Sequence, residues 1–170
     1  KDNVALYGKV TTSGGTNESV ITDGSNANSY WSSTSNIKEA YAIVELAGTA
    51  EIEEFNIVPY YNAAATWYTY DVSVSHDGVN WTSVAKSETK ANPTKKGVTL
   101  TLDKPVHAKY IKVQGLETNH KNALFHLVEI AAFGRFIDDG LTNIALHKNV
   151  VTNIEREGYP ISRATDGDMV

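Results

Sequence analysis

Between Ala40 and Gly134 the sequence is built from short runs in which apolar and polar residues alternate, set apart by turn-forming residues. The runs are "AYAIVELA" (Ala40 to Ala47), "FNIVPY" (Phe55 to Tyr60), "TYDVSVS" (Thr69 to Ser75), "WTSVAK" (Trp81 to Lys86), "GVTLTL" (Gly97 to Leu102), "AKYIKVQG" (Ala108 to Gly115) and "LVEIAAFG" (Leu127 to Gly134). Alternation with period two puts one set of side chains on each face of an extended strand, and the richness in Val, Ile, Thr and Tyr suits a half-buried sheet. No stretch keeps helical spacing between two caps, so any helix is expected to be a single turn. "HDGVN" (His76 to Asn80) predicts a tight hairpin, with Asp77 and Gly78 suited to positive backbone angles. Many antiparallel strands at this spacing predict an all-β fold, a β-sandwich or jelly roll.

The chain also echoes itself. "DNVALYGKVTT" near the start is answered by "TNIALHKNVVT" at 142 to 152, with Asn3 falling on Asn143, Ala5 on Ala145, Leu6 on Leu146, Val10 on Val150 and Thr12 on Thr152. "ITDG" (Ile21 to Gly24) returns as "ATDG" (Ala164 to Gly167). A period of ~140 residues is that of a domain able to bury its own core, not of a solenoid turn. The expected organisation is one module over 1–135, a linker over 136–142, and over 143–170 the N-terminal fragment of a second, similar module. The whole is expected to be a segment of a longer protein. A net charge of -5 argues against gripping nucleic acid phosphates or an anionic membrane, no apolar run is long enough to cross a bilayer, and the absence of cysteine excludes disulfide and thiolate-metal scaffolds.

Individual residues divide between packing and chemistry. Trp31, Trp81 and Tyr110 are expected to pack into the core, His76 to be solvated at a turn tip, and the glutamates of "EIEEF" (Glu51 to Glu54) to be solvated at a strand start. Asp23, Gly24, Ser25, Asn26, Asn28 and Ser29 form a loop dense in oxygen donors with a glycine for tight curvature. A hard cation such as Ca²⁺ needs such oxygens, and the alternative is an Asx-type turn. A loop alone rarely fills a shell of six to eight ligands.

"VITDGSNANSYWSS", "YAIVELAGTAEIEEFNIV", "YDVSVSHDGVNWTSVA" and "AKYIKVQGLETNHKNALFHLVEIAAFG" follow in order the running pattern of the coagulation-factor type C, or discoidin-like, superfamily, and most resemble carbohydrate-binding module family 32. The resemblance spans residues 3 to 134 and implies a galactose-binding-domain-like jelly roll. It implies a structural calcium held by the carboxylates of Asp23 and Glu129, by Ser29 (or Asn28), and by the carbonyls of Val20, Ser25 and Val128. A sugar site needs an aromatic platform and fixed polar groups on loops at one end of the sandwich. "PYYNAAATWY" and "LETNHKNALFH" supply Tyr60, Tyr61, Asn62, Trp67, Tyr68, Asn119, His120, Lys121, Asn122 and Phe125, with Ser32 and Asn36 at the same end. Trp67 is either the platform or a ring folded back to cap the sandwich. Ser32 and Ser33 stand where galactose-binding members carry a histidine, and "PYYNAAAT" has no arginine, which argues against the usual galactose recognition.

The function implied is a non-catalytic, extracellular or cell-surface module of a larger secreted bacterial glycoside hydrolase, targeting a covalently linked catalytic domain to glycans. The alternatives are a discoidin-like adhesion or protein-binding domain and a non-binding spacer. No nucleophile elbow, zinc helix or arguable carboxylate pair points to catalysis, and neither loop has the apolar spikes flanked by basic residues that insertion into a membrane would use.

Overall fold

The computed structural model describes residues 1–137. Of the linker read at 136–142, Phe136 still belongs to the last strand and Ile137 donates its N–H to the Thr49 carbonyl at 2.9 Å, while 138–142 and the second module read at 143–170 lie outside the described residues. Nine strands are formed: β1 (Asp2–Asn3), β2 (Lys9–Thr12), β3 (Gly15–Thr16), β4 (Trp31–Asn36), β5 (Tyr41–Pro59), β6 (Tyr68–Ser75), β7 (Thr82–Ser87), β8 (Val98–Thr118) and β9 (Leu124–Phe136). Two single 3₁₀ turns, Glu18–Thr22 and Ile37–Glu39, are the helical elements among the described residues.

All pairings are antiparallel, and the hydrogen-bonded order is β3-β4-β9-β5-β8-β6-β7, with β1 on β9 and β2 on β5. The long strands serve two layers. Tyr41 to Glu45 of β5 pair with β8 at Tyr110 to Gln114, while Glu54 to Ile57 pair with β8 at Val98 to Thr101 and with β9. Register shifts between Glu45 and Ala50 and between Ile52 and Glu54 mark the bend, the device by which a strand changes sheets. One layer thus holds β2, early β5, late β8, β6 and β7, and the other early β8, late β5, β9, β4, β3 and β1. Trp31, Phe55, Phe125 and Ile130 from one side meet Val44, Tyr70, Val72 and Ile111 from the other in a single buried cluster, giving a jelly-roll sandwich. Phe125 sits at its centre, 6.0 Å from Trp31, 6.0 Å from Tyr68 and 6.2 Å from Tyr70 between ring centroids.

Several runs that read as separate strands are halves of one. Alternation continues through "GTAEIEE", where Ala50 and Ile52 are buried, so nothing breaks the chain between Ala47 and Phe55. Glu51 to Glu54 accordingly lie in mid-strand, where Glu53 pairs with Lys1 at 2.8 Å and Glu51 with Arg135 at 2.9 Å. At the hairpin only Gly78 takes a positive φ, 74°. Asp77 shapes the turn through its carboxylate, which accepts the N–H groups of Val79 (2.9 Å) and Asn80 (2.8 Å) and is held well below the usual carboxylate range by them. Trp31 is in the core as expected, but Trp81 and Tyr110 are half-buried on the outer side. Lys112 lies 4.5 Å from the Trp81 ring centroid.

Near the end of β9, Gly134 pairs with Ile52 on β5 and with Asp2 on β1. A Cβ there would stand 1.9 Å from the Glu51 carbonyl oxygen, a backbone atom that cannot yield without opening the pairing. Gly134→Ala is therefore expected to cost about 1–3 kcal/mol of stability, the range for overpacking. Urea unfolding with an unchanged m-value would show it as a lowered midpoint; an unchanged midpoint would contradict it.

Candidate functional site

The site begins with one surplus residue in β9. Val58 of β5 pairs with Glu129 and Pro59 with Leu127, leaving Val128 as a bulge. Before it Phe125 and Leu127 face the core, and after it Ile130 and Ala132 do. Strict alternation would aim Glu129 inward with Phe125 and Leu127; the bulge turns it to the outer face. There the loop following Glu18–Thr22 covers it, and Glu129 is only 2% exposed. Its Oε1 accepts the Gly24 N–H at 3.3 Å, while the buried Oε2 has no hydrogen-bond partner. Burial, and then the neighbouring Asp23 carboxylate, push its carboxyl up to about 8 against the pull of the Gly24 hydrogen bond.

Asp23 is exposed and accepts the Ser25 N–H at 2.7 Å. Gly24 has φ 78°, and a Cβ there would meet Leu6 at 2.8 Å, so only glycine fits this approach to Glu129. The Val20 carbonyl accepts the Asp23 N–H at 3.3 Å, Ser25 and Ser29 are exposed, and Val128 is buried. Among the described residues no group of three or more His, Cys, Asp and Glu gathers, so a cation beside Asp23 and Glu129 would complete its shell with carbonyl, hydroxyl or water oxygens.

This loop is tied to the next. The Tyr61 hydroxyl donates to the Asn26 carbonyl at 2.8 Å, the Asn62 amide donates to Asn28 Oδ1, and the Asn26 amide donates to the Lys95 carbonyl at 3.0 Å. Between the loops lies an aromatic group. Tyr30 and Tyr60 are 4.1 Å apart, Tyr30 stands edge-on to His126 at 5.4 Å, and His120 stands edge-on to His126 at 4.7 Å. Tyr68 Oη lies 2.8 Å from His126 Nδ1. Burial, with His120 adding to it, lowers the His126 imidazole to about 4, and burial raises the Tyr68 phenol. A protonated phenol and a neutral imidazole are therefore joined by one hydrogen bond. Ser32 sits directly across from His126 on β4.

The other two loops meet through Asn119. It accepts the Trp67 N–H at 2.8 Å and donates to the Ala65 carbonyl at 2.7 Å, while Thr118 Oγ1 donates to the Trp67 carbonyl at 2.7 Å. Ala63, Ala64, Ala65 and Thr66 on one side and Asn119, His120 and Lys121 on the other enclose a cleft of about 350 Å³. Trp67 is half-buried, with the Lys90 ammonium 4.9 Å from its ring centroid and held there by Glu117 at 2.7 Å.

Tyr60, Tyr61, Asn62, Trp67, Asn119 and His120 thus come together at one rim, and Asn122 joins them by donating its N–H to His120 Nδ1 at 3.3 Å. Tyr68 and Phe125 do not reach the surface; at 2% and 0% exposure their rings belong to the core, because Phe125 shares the inward parity of Leu127 and Tyr68 that of Tyr70. Tyr30, His126 and Lys90 are the rim residues that sequence reasoning missed. Parity carried a signal for two of them, since Tyr30 precedes core Trp31 and His126 lies between core Phe125 and Leu127.

Over residues 8–130 the sequence matches the F5/8 type C domain. No curated protein matches it. Among solved structures, similar folds occur in a family 89 glycoside hydrolase from Clostridium perfringens (23% identity, TM-score 0.68, covering 79% of this chain and 15% of that one). They occur also in the CBM32 of AlyQ in complex with 4,5-unsaturated mannuronic acid (21%, 0.62, 78% and 95%) and in a pectin binding carbohydrate binding module (29%, 0.61, 73% and 88%). This chain spans 15% of the length of the hydrolase.

The buried imidazole has a consequence for stability. Folded His126 titrates near 4 rather than 6.5, so between these values the unfolded chain binds more protons, and stability falls as pH is lowered from 6.5 toward 4 and levels off below. His126→Gln keeps an acceptor for Tyr68 and is expected to shrink the drop in melting temperature between pH 7 and pH 4.5; an equal drop in both proteins would show that His126 does not contribute.

Proposed function

The chain belongs to the F5/8 type C domain family, and from that premise we propose that residues 1–135 are a non-catalytic carbohydrate-binding module of the family 32 kind. It serves as an ancillary domain of a larger secreted bacterial glycoside hydrolase, outside the cell or at its surface, and holds a covalently linked catalytic domain near its glycan. The observation that carries this reading is the convergence on one rim of an aromatic pair, Tyr30 and Tyr60, with the cleft between Ala63 to Thr66 and Asn119 to Lys121. Stacked or tilted rings with fixed polar groups beside them suit the C–H face and hydroxyl edge of a sugar. The His126 imidazole is buried and bonded to Tyr68, so it serves the packing of the rim. No helix among the described residues is long and apolar enough to cross a membrane.

A glycan array probed with the 170-residue chain is expected to return a carbohydrate ligand. Tyr60→Ala is then expected to weaken that ligand roughly three- to tenfold in calorimetry, the worth of one ring contact. A blank array with a folded protein would favour the protein-binding or spacer reading instead.

The second part of the proposal is a structural calcium ion. The orphaned, buried Oε2 of Glu129 beside the exposed Asp23 fits a cation, because a buried carboxylate with an unpaired oxygen and a second carboxylate near it is otherwise uncompensated. Asp23 and Glu129 would hold it with carboxylates, Ser29 with its hydroxyl, and Val20, Ser25 and Val128 with carbonyls; the ion supplies charge neutralisation and fastens loop to sheet. Saturating CaCl₂ is expected to raise the melting temperature, by about 2.7 kcal/mol of stability at one hundred times Kd, and chelator to reverse it. Glu129→Gln should abolish the response, and a native protein indifferent to calcium would end the assignment.

A further inference from the structure

The outer face of the β6, β7 and β8 layer carries a groove of about 500 Å³ lined by Lys38, Lys86, Lys90, Glu88 and Glu117 together with Thr69, Gln114 and Leu116. Its lining and that of the rim cleft come from neighbouring residues of the same two segments: Thr66 and Asn119 line the cleft, Thr69 and Glu117 line the groove, and between them Tyr68 pairs with Thr118, whose Oγ1 donates to the Trp67 carbonyl. Trp67 falls between these two sets of residues along the chain, with the Lys90 ammonium, which lines the groove, 4.9 Å from its ring centroid.

The charges here run against those of the whole. The chain has a net charge of -5, yet four lysines (Lys38, Lys86, Lys90, Lys121) face this path against two glutamates. Asp71 beside it is occupied by the hydroxyls of Ser73 at 2.7 Å and of Ser83. Lys86 pairs with Glu88 at 2.9 Å and Lys90 with Glu117 at 2.7 Å, but all four side chains are 49–74% exposed, so these pairs are weak and another anion can exchange into them. Lys38 has no ion-pair partner among the described residues.

The cleft asks for the same chemistry. Both ends of the Asn119 amide are used internally. The carbonyls of Ala63, Ala64 and Ala65 already accept from Thr66 N–H, Thr66 Oγ1 and Asn119. His120 Nδ1 accepts from Asn122, which leaves His120 Nε2–H and the Lys121 ammonium, both donors. A cleft with spare donors and occupied acceptors suits a ligand rich in acceptors.

Resting on the glycan-binding reading above, we propose that cleft and groove form one track for an anionic polysaccharide. Trp67 lies beneath the sugar chain, and Lys121, Lys90, Lys86 and Lys38 meet successive carboxylates or sulfates along it.

Affinity electrophoresis of the 170-residue chain would compare polygalacturonic acid, its methyl ester, dextran sulfate and neutral galactan, at 50 and 500 mM NaCl. Retardation by the acidic polymers is expected, reduced about tenfold or more by the higher salt through screening and roughly three- to tenfold by Lys90→Gln with Lys121→Gln, the sum of two exposed charge contacts. Lys9→Gln, away from the track, should change nothing. Stronger retardation by polygalacturonic acid assigns carboxylate, and by dextran sulfate, sulfate. Equal retardation by galactan or the methyl ester, or indifference to salt, would overturn the track and leave the glycan-binding reading standing; no retardation by any polymer would count against both.

Discussion

The rim of this module depends on a single displaced residue. Without the bulge at Val128, the carboxylate of Glu129 would be driven among Phe125 and Leu127, where an ionised group is intolerable. With it, Glu129 emerges under the Asp23 loop and ties that loop to the final strand through the Gly24 N–H. The position is poised: one oxygen is satisfied, the other is not, and a second carboxylate stands nearby. A buried carboxylate in that state either takes up a proton or takes up a cation, so the loop's hold on the sheet is a matter of chemistry at this one group.

From there the fastening passes outward. The Asp23 loop grips Tyr61 and Asn62 through Asn26 and Asn28, and Asn26 also reaches the segment before β8 at Lys95. Asn119 then joins the start of β6 to the end of β8. Loops that would wander singly are held as a set, which leaves the aromatic and lysine side chains between them with less freedom to lose when a ligand arrives. The rigidity of the rim lies in amide and hydroxyl contacts, and its apolar rings are free to face a partner.

Much of this was legible in the residues. Period two and turn chemistry predict the layers, and the ordered motifs draw the Asp23 loop toward Glu129, where the structure sets the Gly24 N–H 3.3 Å from its Oε1. What escaped did so for physical reasons. β1 to β4 are short and mostly polar, Asp-Asn in β1 and Ser- or Thr-containing in β2 to β4, so they carry almost no hydrophobic alternation. Phe125 and Tyr68 sit in loop-like text beside polar residues, yet parity sends both inward. Trp81 follows a hairpin and reads as core, but it leads into β7, the outer edge of the β6, β7 and β8 layer, and the Lys112 ammonium faces its ring in place of the second sheet. Trp67 shows the same covering by Lys90, a contact between residues whose nearness no linear pattern records.

The place where the chain enters the sandwich carries a mechanical meaning. Asp2 and Asn3 lie against Gly134 and Phe133 on β9, beside the point where the chain leaves. Tension applied through flanking polypeptide would reach these rungs first and peel them one at a time, so the domain would yield at its lip under small loads while the core stayed whole. Neighbouring entry and exit strands thus make the lip of the sandwich, and not its aromatic interior, the part that a pull on both ends would load first.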